Sequence, residues 1–298
     1  MNILLLGKNG QVGRELQRTL LPLGSLLALD KYEQNLVDLE HLDTLLNRYA
    51  PDIIVNAAAY TAVDKAETDC ETTYRINHDA ITILADYAAR TQALLVHYST
   101  DYVFDGQKST AYLEHDKTNP QSVYGASKRA GEIAILQKNC HFLLFRTSWV
   151  FSVHGRNFIK TILQLAKEKD SLHIVADQYG APTSAELIAD ITALAIASYR
   201  KGCIDDGIYH LTASGTTNWY QLACYAIGKV HARGKKLSID EKKIYPIATK
   251  DYPLPAKRPV NSALDTTAIR NALGIYLPIW TVYVDRMIDQ LIDLEFFV

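Results

Sequence analysis

Asn2-Ile3-Leu4-Leu5-Leu6-Gly7-Lys8-Asn9-Gly10-Gln11-Val12-Gly13 opens the chain and decides its fold. Residues 2–6 are an apolar run of strand length, Gly7, Gly10 and Gly13 follow at three-residue intervals, and Val12, Leu16 and Leu20 then recur on one helical face. Pro22-Leu23-Gly24 stops that helix. Strand, glycine turn and helix in this order let the backbone approach a pyrophosphate, whose charge the helix N-terminus stabilises. The glycine spacing is Gly-x-x-Gly-x-x-Gly rather than Gly-x-Gly-x-x-Gly. A second apolar run, Leu26-Leu27-Ala28-Leu29, ends in Asp30, twenty residues beyond Gly10, where an acid can accept hydrogen bonds from adenosine ribose hydroxyls.

Strands and helices alternate from there. Leu42, Leu45, Leu46 and Tyr49 predict a helix after Asp38, and residues 52–59 (Asp-Ile-Ile-Val-Asn-Ala-Ala-Ala) predict a strand covered on both faces. A helix over 77–91, a strand over 94–98, a helix around Tyr124 and a strand over 142–146 continue the series. This βαβ order predicts an α/β fold of Rossmann type, a doubly wound parallel sheet that binds ligands at the carboxyl ends of its strands. Ala58-Ala59-Tyr60, Ser99-Thr100-Asp101 and Thr147-Ser148-Trp149 fall at such ends.

Tyr124 and Lys128 stand four residues apart in Ser122-Val123-Tyr124-Gly125-Ala126-Ser127-Lys128. On a helix they share one face, about 6 Å apart along the axis. An ammonium beside a phenol favours the phenolate and lowers a pKa otherwise about 10, so the pair can move a proton near neutrality. That is the proton supply a hydride-transfer site needs.

Composition excludes several classes. The 298 residues are 48% hydrophobic with a formal net charge of −2 and no basic cluster, so neither nucleic acid nor an anionic membrane surface is an expected partner. No apolar stretch reaches the roughly 18 residues that span a bilayer. Cys70, Cys140, Cys203 and Cys224 are scattered, which predicts reduced thiols in a cytoplasm, and the nine histidines show no ligand spacing.

Beyond about residue 150 the alternation loosens. A helix over 158–169, a short strand over 172–175 and a helix over 185–199 precede turn-rich pieces such as Asp251-Tyr252-Pro253-Leu254-Pro255 and Lys257-Arg258-Pro259. The expected division is a nucleotide-binding domain over 1–152, together with about 171–200, and an interleaved, smaller α/β substrate domain over 153–170 and 201–298.

Six segments together resemble a known family: Gly7-x-x-Gly10-Gln11-Val12-Gly13, Asn56-Ala57-Ala58-Ala59-Tyr60-Thr61-Ala62-Val63-Asp64, residues 99–106 (Ser-Thr-Asp-Tyr-Val-Phe-Asp-Gly), Tyr124-Gly125-x-x-Lys128, Arg146-Thr147-Ser148-Trp149 and Asp177-Gln178-Tyr179-Gly180-Ala181-Pro182-Thr183. The first and fourth are common to the extended short-chain dehydrogenase/reductase superfamily. The others are more specific and resemble the dTDP-4-dehydrorhamnose reductase family. Related sugar-nucleotide 4,6-dehydratases carry Thr-Asp-Glu where this chain has Thr100-Asp101-Tyr102. Without the second acid the site can donate one proton and one hydride and little else, which favours a simple reductase.

The resemblance implies reduction of dTDP-4-dehydro-L-rhamnose at C4 by NADPH or NADH, with Tyr124 as proton donor, Lys128 lowering the Tyr124 pKa and bonding the nicotinamide ribose, and Thr100 on the substrate carbonyl. It implies a cofactor shell of Gly7, Asn9, Gly10, Gln11, Val12, Asp30, Asp38, Leu39, Ala58, Ala59 and Tyr60, besides Tyr124 and Lys128. Asp101, Val63, Asp64 and Trp149 join Thr100 in lining the sugar-nucleotide pocket. Asp38 is equally readable as the cap of its helix, Asp64 as a helix-start residue, Trp149 as core and Asn77 as a structural hydrogen-bonder. Asp30 repels a 2′-phosphate and Lys31, Lys8 and Arg14 partly offset this, so use of both cofactors is expected. The resemblance further implies a homodimer with Mg²⁺ held by Glu15 and Glu186; the third, C-terminal carboxylate has no clear match, the aligned position being Gln290. Two other readings share these motifs: an epimerase or reductase for another 4-keto sugar nucleotide, and a non-catalytic subunit similar to the regulatory β subunit of methionine adenosyltransferase.

Overall fold

A computed structural model of the chain describes residues 1–297. Its elements are β1 (Asn2–Leu6), α1 (Gln11–Leu20), β2 (Ser25–Leu29), α2 (Leu39–Tyr49), β3 (Ile53–Asn56), α3 (Val63–Ala66), α4 (Cys70–Tyr74), α5 (Ala80–Thr91), β4 (Leu94–Thr100), α6 (Val123–Leu136), β5 (His141–Thr147), β6 (Val150–Phe151), α7 (Phe158–Glu168), β7 (Leu172–Val175), β8 (Tyr179–Gly180), β9 (Thr183–Ser184), α8 (Ala185–Tyr199), β10 (Gly207–His210), β11 (Thr217–Asn218), α9 (Trp219–Ala232), β12 (Ile244–Ile247), α10 (Thr267–Leu273) and α11 (Trp280–Asp293).

Six strands form one parallel sheet in the order β10-β5-β4-β3-β1-β2. The chain runs outward from β1 to β2, then crosses back to β3 on the other side of β1. The crevice between the carboxyl ends of β1 and β3 is therefore a topological switch point, where open α/β sheets bind ligands. Successive strand residues point to opposite faces. Ile3, Leu5, Val55, Val96 and Phe145 pack with Leu16, Leu20 and Leu187 on one face. Leu4, Leu6, Ile54, Leu95 and Leu144 pack with Leu42, Leu46, Leu84 and Ile135 on the other. Burial on both faces is why these strands read as unbroken apolar runs rather than as alternation.

Local sequence sets the helix starts that matter for the site. Asp38 caps α2, its carboxylate accepting from the His41 N–H at 3.0 Å. Ser122 caps α6 by accepting from the Gly125 N–H at 3.1 Å. The helix expected over 77–91 enters through a π-helical turn, Arg75–Asp79, before α5. Wide turns of this kind re-aim a side chain, here Asn77.

The later elements interleave more than the sequence division suggested. β7 leaves the main sheet and pairs with β12, while β10, from the segment beyond 200, pairs with β5 and extends the main sheet. α9 and α11 come from a stretch that reads as turn-rich. Their buried residues, Leu222, Ala226, Val230 and Val284, Ile288, Leu291, nevertheless repeat at helical spacing. Among the described residues no helix is long and apolar enough to cross a membrane.

Candidate active site

The glycine turn after β1 is shaped for close approach. Gly7 has φ +87°, and a Cβ there would lie 2.8 Å from the Ala58 nitrogen; a Cβ on Gly13 would lie 2.0 Å from the Gly7 carbonyl oxygen. Only glycine allows both contacts. α1 then begins at Gly10 with no side-chain cap and no acid in its first turn, so its leading N–H groups are free for an anion. A dinucleotide pyrophosphate fits this donor set, with Gln11 and Val12 at the helix start and Ala58, Ala59 and Tyr60 across the crevice.

Asp30 lies at the end of β2 beside the turn. Its carboxylate accepts from Asn9 Nδ2 at 2.7 Å and from the Tyr32 and Glu33 N–H groups at 2.8 and 3.2 Å. Those bonds, the Tyr32 N–H first, hold its pKa below the usual carboxylate value. Lys8 is committed to Glu33 at 2.5 Å. One of the three positive charges expected to offset repulsion of a 2′-phosphate is thus already engaged. Asp38 spends one oxygen on its cap, with Leu39 next to it, and Tyr60 is fixed by Asn77, whose Oδ1 accepts from the Tyr60 N–H at 2.9 Å while Nδ2 donates to the Tyr60 carbonyl at 3.1 Å.

At the end of β4, Thr100 and the following Asp101 meet the start of α6. Thr100 is 5% exposed and Asp101 3%; the Thr100 hydroxyl donates to Asp101 Oδ1 at 3.0 Å. Burial pushes the Asp101 carboxyl up to about 6, against hydrogen bonds from Ser262 and Thr100. Its Oδ2 is buried without a partner. Tyr124 opens partly to the cleft and packs edge-on against Tyr102, ring centroids 5.5 Å apart.

One expectation is corrected here. The Tyr124 phenol is pushed up to about 12, by burial first and by the Asp101 charge, with only the Thr100 hydroxyl bond acting the other way. The Lys128 nitrogen does not lower it, because it turns beneath the helix to the Tyr98 carbonyl oxygen at 2.6 Å and to His97 Nε2 at 3.2 Å. Burial also brings the Lys128 pKa down to about 8. A phenol at 12 is still a competent acid towards a developing alkoxide.

On the far wall, Asp64 in α3 forms a bidentate pair with Arg258, at 2.8 and 3.1 Å, and accepts from the Ala256 N–H at 3.2 Å. Val63 starts the same helix. Trp149 has φ +49°, an unusual backbone for a bulky residue, and stacks on Trp219 with ring centroids 3.5 Å apart at 11°. Trp219 donates to Gln178 at 3.2 Å. Behind this pair lies a cavity of about 780 Å³, lined by Ile162, Ile174, Trp219, Leu254, Lys257 and Arg258 among others. Arg258, Lys257, Trp219, Ser262 and His97 were missed from sequence. All but His97, which lies two residues before the Ser99 segment, stand far along the chain from the motifs, and only the run Lys257-Arg258 gave a signal.

The Glu15 carboxyl is raised by burial and then by the Glu186 charge, so the two acids are near enough to repel. Glu186, however, already accepts from Arg286 Nε at 3.0 Å and from Gln290 at 2.9 Å. Among the described residues no three His, Cys, Asp or Glu groups gather around a point that could hold a metal. With a guanidinium supplying the positive charge and an amide at the third position, these residues do not fit Mg²⁺.

The family model described as the RmlD substrate binding domain matches residues 1–292. The chain belongs to the dTDP-4-dehydrorhamnose reductase family. It is 46% identical to the dTDP-4-dehydrorhamnose reductase of Escherichia coli K12, covering 98% of both chains, and 44% identical to that of Burkholderia thailandensis, covering 98% of this chain and 100% of the relative. Among solved structures, the reductase of Clostridium acetobutylicum matches with a TM-score of 0.90 at 33% identity, covering 98% of this chain and 99% of that one. The reductase of Bacillus anthracis, solved in complex with NADP, matches at 0.85 and 29%, covering 97% and 99%. The α/β fold with its mostly parallel sheet is that of the family.

Proposed function

We propose that this chain reduces dTDP-4-dehydro-L-rhamnose to dTDP-L-rhamnose with NADH or NADPH. The observation that carries this reading is that the dinucleotide turn after β1 and the Thr100, Asp101 and Tyr124 cluster after β4 stand at the carboxyl ends of strands of one parallel sheet, with tyrosine and no second acid at position 102. Bound NAD(P)H supplies the hydride at C4. Tyr124 donates its phenolic proton to the oxygen on C4 as charge grows there, and the Thr100 hydroxyl steadies that oxygen. Asp101, with one oxygen free, accepts from a sugar hydroxyl. Lys128 holds the nicotinamide ribose by family resemblance.

Arg258 and Lys257 carry the positive charge that a diphosphate needs, and Asp64 fixes the guanidinium fork. The apolar cavity beside them has the size of a nucleotide base and sugar. The substrate side of the cleft is drawn mainly from 153–170 and 201–298, with β10 given back to the nucleotide sheet. The Asp30 carboxylate and the engaged Lys8 favour NADH, with NADPH also used. A homodimer belongs to the same reading: Leu194 and Val282 stand 48% and 45% exposed on the faces of α8 and α11 that carry Glu186 and Arg286.

The test is oxidation of NADH by the purified chain across a panel of 4-keto sugar nucleotides. Turnover highest with dTDP-4-dehydro-L-rhamnose supports the proposal. Preference for another 4-keto sugar reassigns the substrate, and no turnover with any of them points to a regulatory subunit.

A further inference from the structure

Three basic side chains meet beside the start of α1, and a fourth follows on the same turn. His154, between β6 and α7, is held below the ordinary histidine pKa by burial first, then by the charges of Arg14 on α1 and Lys160 on α7. No carboxylate among the described residues acts on it. Arg156 lies two residues further along the turn, and both arginines are exposed. Lys160 Nζ donates to the Val153 carbonyl at 2.9 Å, which keeps its charge on the turn. The nearby acids of α8 are engaged elsewhere, Glu186 with Arg286 and Asp190 with Arg18. Like charges brought together in this way repel, and an anion among them removes the cost.

The turn is pinned to the first residue of α1. Asn157 Nδ2 donates to Gln11 Oε1 at 3.0 Å and to the Ser152 carbonyl at 2.6 Å. Its Oδ1 caps α7, accepting from the Lys160 N–H at 3.1 Å. The backbone passes so close that a Cβ on Gly155 would lie 3.2 Å from Gln11 Cγ. Gln11 stands where the uncapped N–H groups of α1 are free for a pyrophosphate. Arg14 lies one turn on, and helix side chains lean back towards the N-terminus, which carries its guanidinium to the same place. The cation that acts on Asp30 is Lys8, not Arg14.

We propose that Arg14, His154 and Arg156 form a basic clamp on the cofactor pyrophosphate, carried to the start of α1 by the contact of Asn157 with Gln11. The glycine turn offers the diphosphate main-chain donors, and the clamp adds the side-chain charge that the turn lacks. It reads the diphosphate that NADH and NADPH share, not the 2′-phosphate that separates them.

The inference rests on the reading of the glycine turn as a cofactor site. Its test is binding to the full-length chain, by fluorescence for NADH and NADPH and by competition for ADP-ribose and adenosine. Arg14→Gln with Arg156→Gln changes two exposed side chains. Affinity for NADH, NADPH and ADP-ribose should fall by about tenfold alike, adenosine should be unaffected, and the salt dependence of NADH binding should flatten. His154→Gln alone should cost about twofold to threefold. Unchanged NADH affinity in the double variant overturns the clamp and leaves the glycine turn as the site. A loss confined to NADPH gives the charges to the 2′-phosphate, and an equal loss for adenosine makes the turn structural; either result also overturns it. A wild-type chain that does not bind ADP-ribose removes the cofactor reading and the clamp together.

Discussion

The glycine turn after β1 and the cavity beside Trp219 are built in opposite ways. The first is main chain. Seven consecutive residues, Gly7 to Gly13, supply a turn, an uncapped helix start and a close approach to Ala57 and Ala58. The second is side chain. Ile162, Trp219, Leu254 and Arg258 reach the cavity from α7, α9 and the loop before α10, and Asp64 meets Arg258 across 194 positions of sequence. A wall made of backbone donors constrains the residues that can stand in a short run. A wall made of side chains asks only that packing bring suitable groups together.

Three substitutions break or sharpen this contrast. The largest effect is expected at Gly13→Ala, where the new methyl must displace the Gly7 carbonyl and open the turn. Overpacking against backbone costs about 1–3 kcal/mol and spoils the anion site besides. NADH affinity, followed by fluorescence, should fall about a hundredfold. An unchanged affinity would mean that the turn is no cofactor wall.

Arg258→Met comes next. It keeps the apolar stem and removes the fork that pairs with Asp64. KM for the sugar nucleotide should rise about tenfold to thirtyfold, the range for losing a partly buried charged contact, with KM for NADH unchanged. A rise in the NADH value instead would move this wall to the cofactor.

The smallest effect is expected at Glu33→Gln. Freed from its pair, Lys8 can meet a 2′-phosphate, and an exposed ion pair is worth about 1 kcal/mol at most. The ratio of kcat/KM for NADPH over NADH should therefore rise a few-fold. No change would leave Asp30 as the residue that sets the preference.

The same contrast explains what was legible in the sequence. The strands of the main sheet announced themselves because burial on both faces leaves no polar alternation to blur them, and the glycine turn because no other residue fits it. Thr100, Tyr124 and Lys128 were singled out through spacing and resemblance, yet spacing misjudged how two of them interact. Four residues apart on a helix set the two Cβ positions, not the direction of a long lysine chain, and β4 offers the Lys128 nitrogen a carbonyl and an imidazole that no local pattern shows. β7 read correctly as a strand but not as a partner of β12, since pairing is a long-range choice. In α9 the apolar repeat was present, but Trp219, Tyr220 and Tyr225 on its flanks and the glycine and threonine run before it masked the helix. Mg²⁺ was implied by the resemblance, through the matches at Glu15 and Glu186; that Arg286 pairs with Glu186 depends on how α11 docks.

In the proposed reduction Tyr124 delivers the proton that accompanies hydride transfer at C4. The direct measurement is the single-turnover rate of NADH oxidation with dTDP-4-dehydro-L-rhamnose, wild type against Tyr124→Phe, both ligands saturating. The phenylalanine keeps the ring and its edge contact with Tyr102, so both dissociation constants should hold while the rate drops by roughly a hundredfold or more. A rate within a fewfold of wild type would assign the proton to another group and contradict the account.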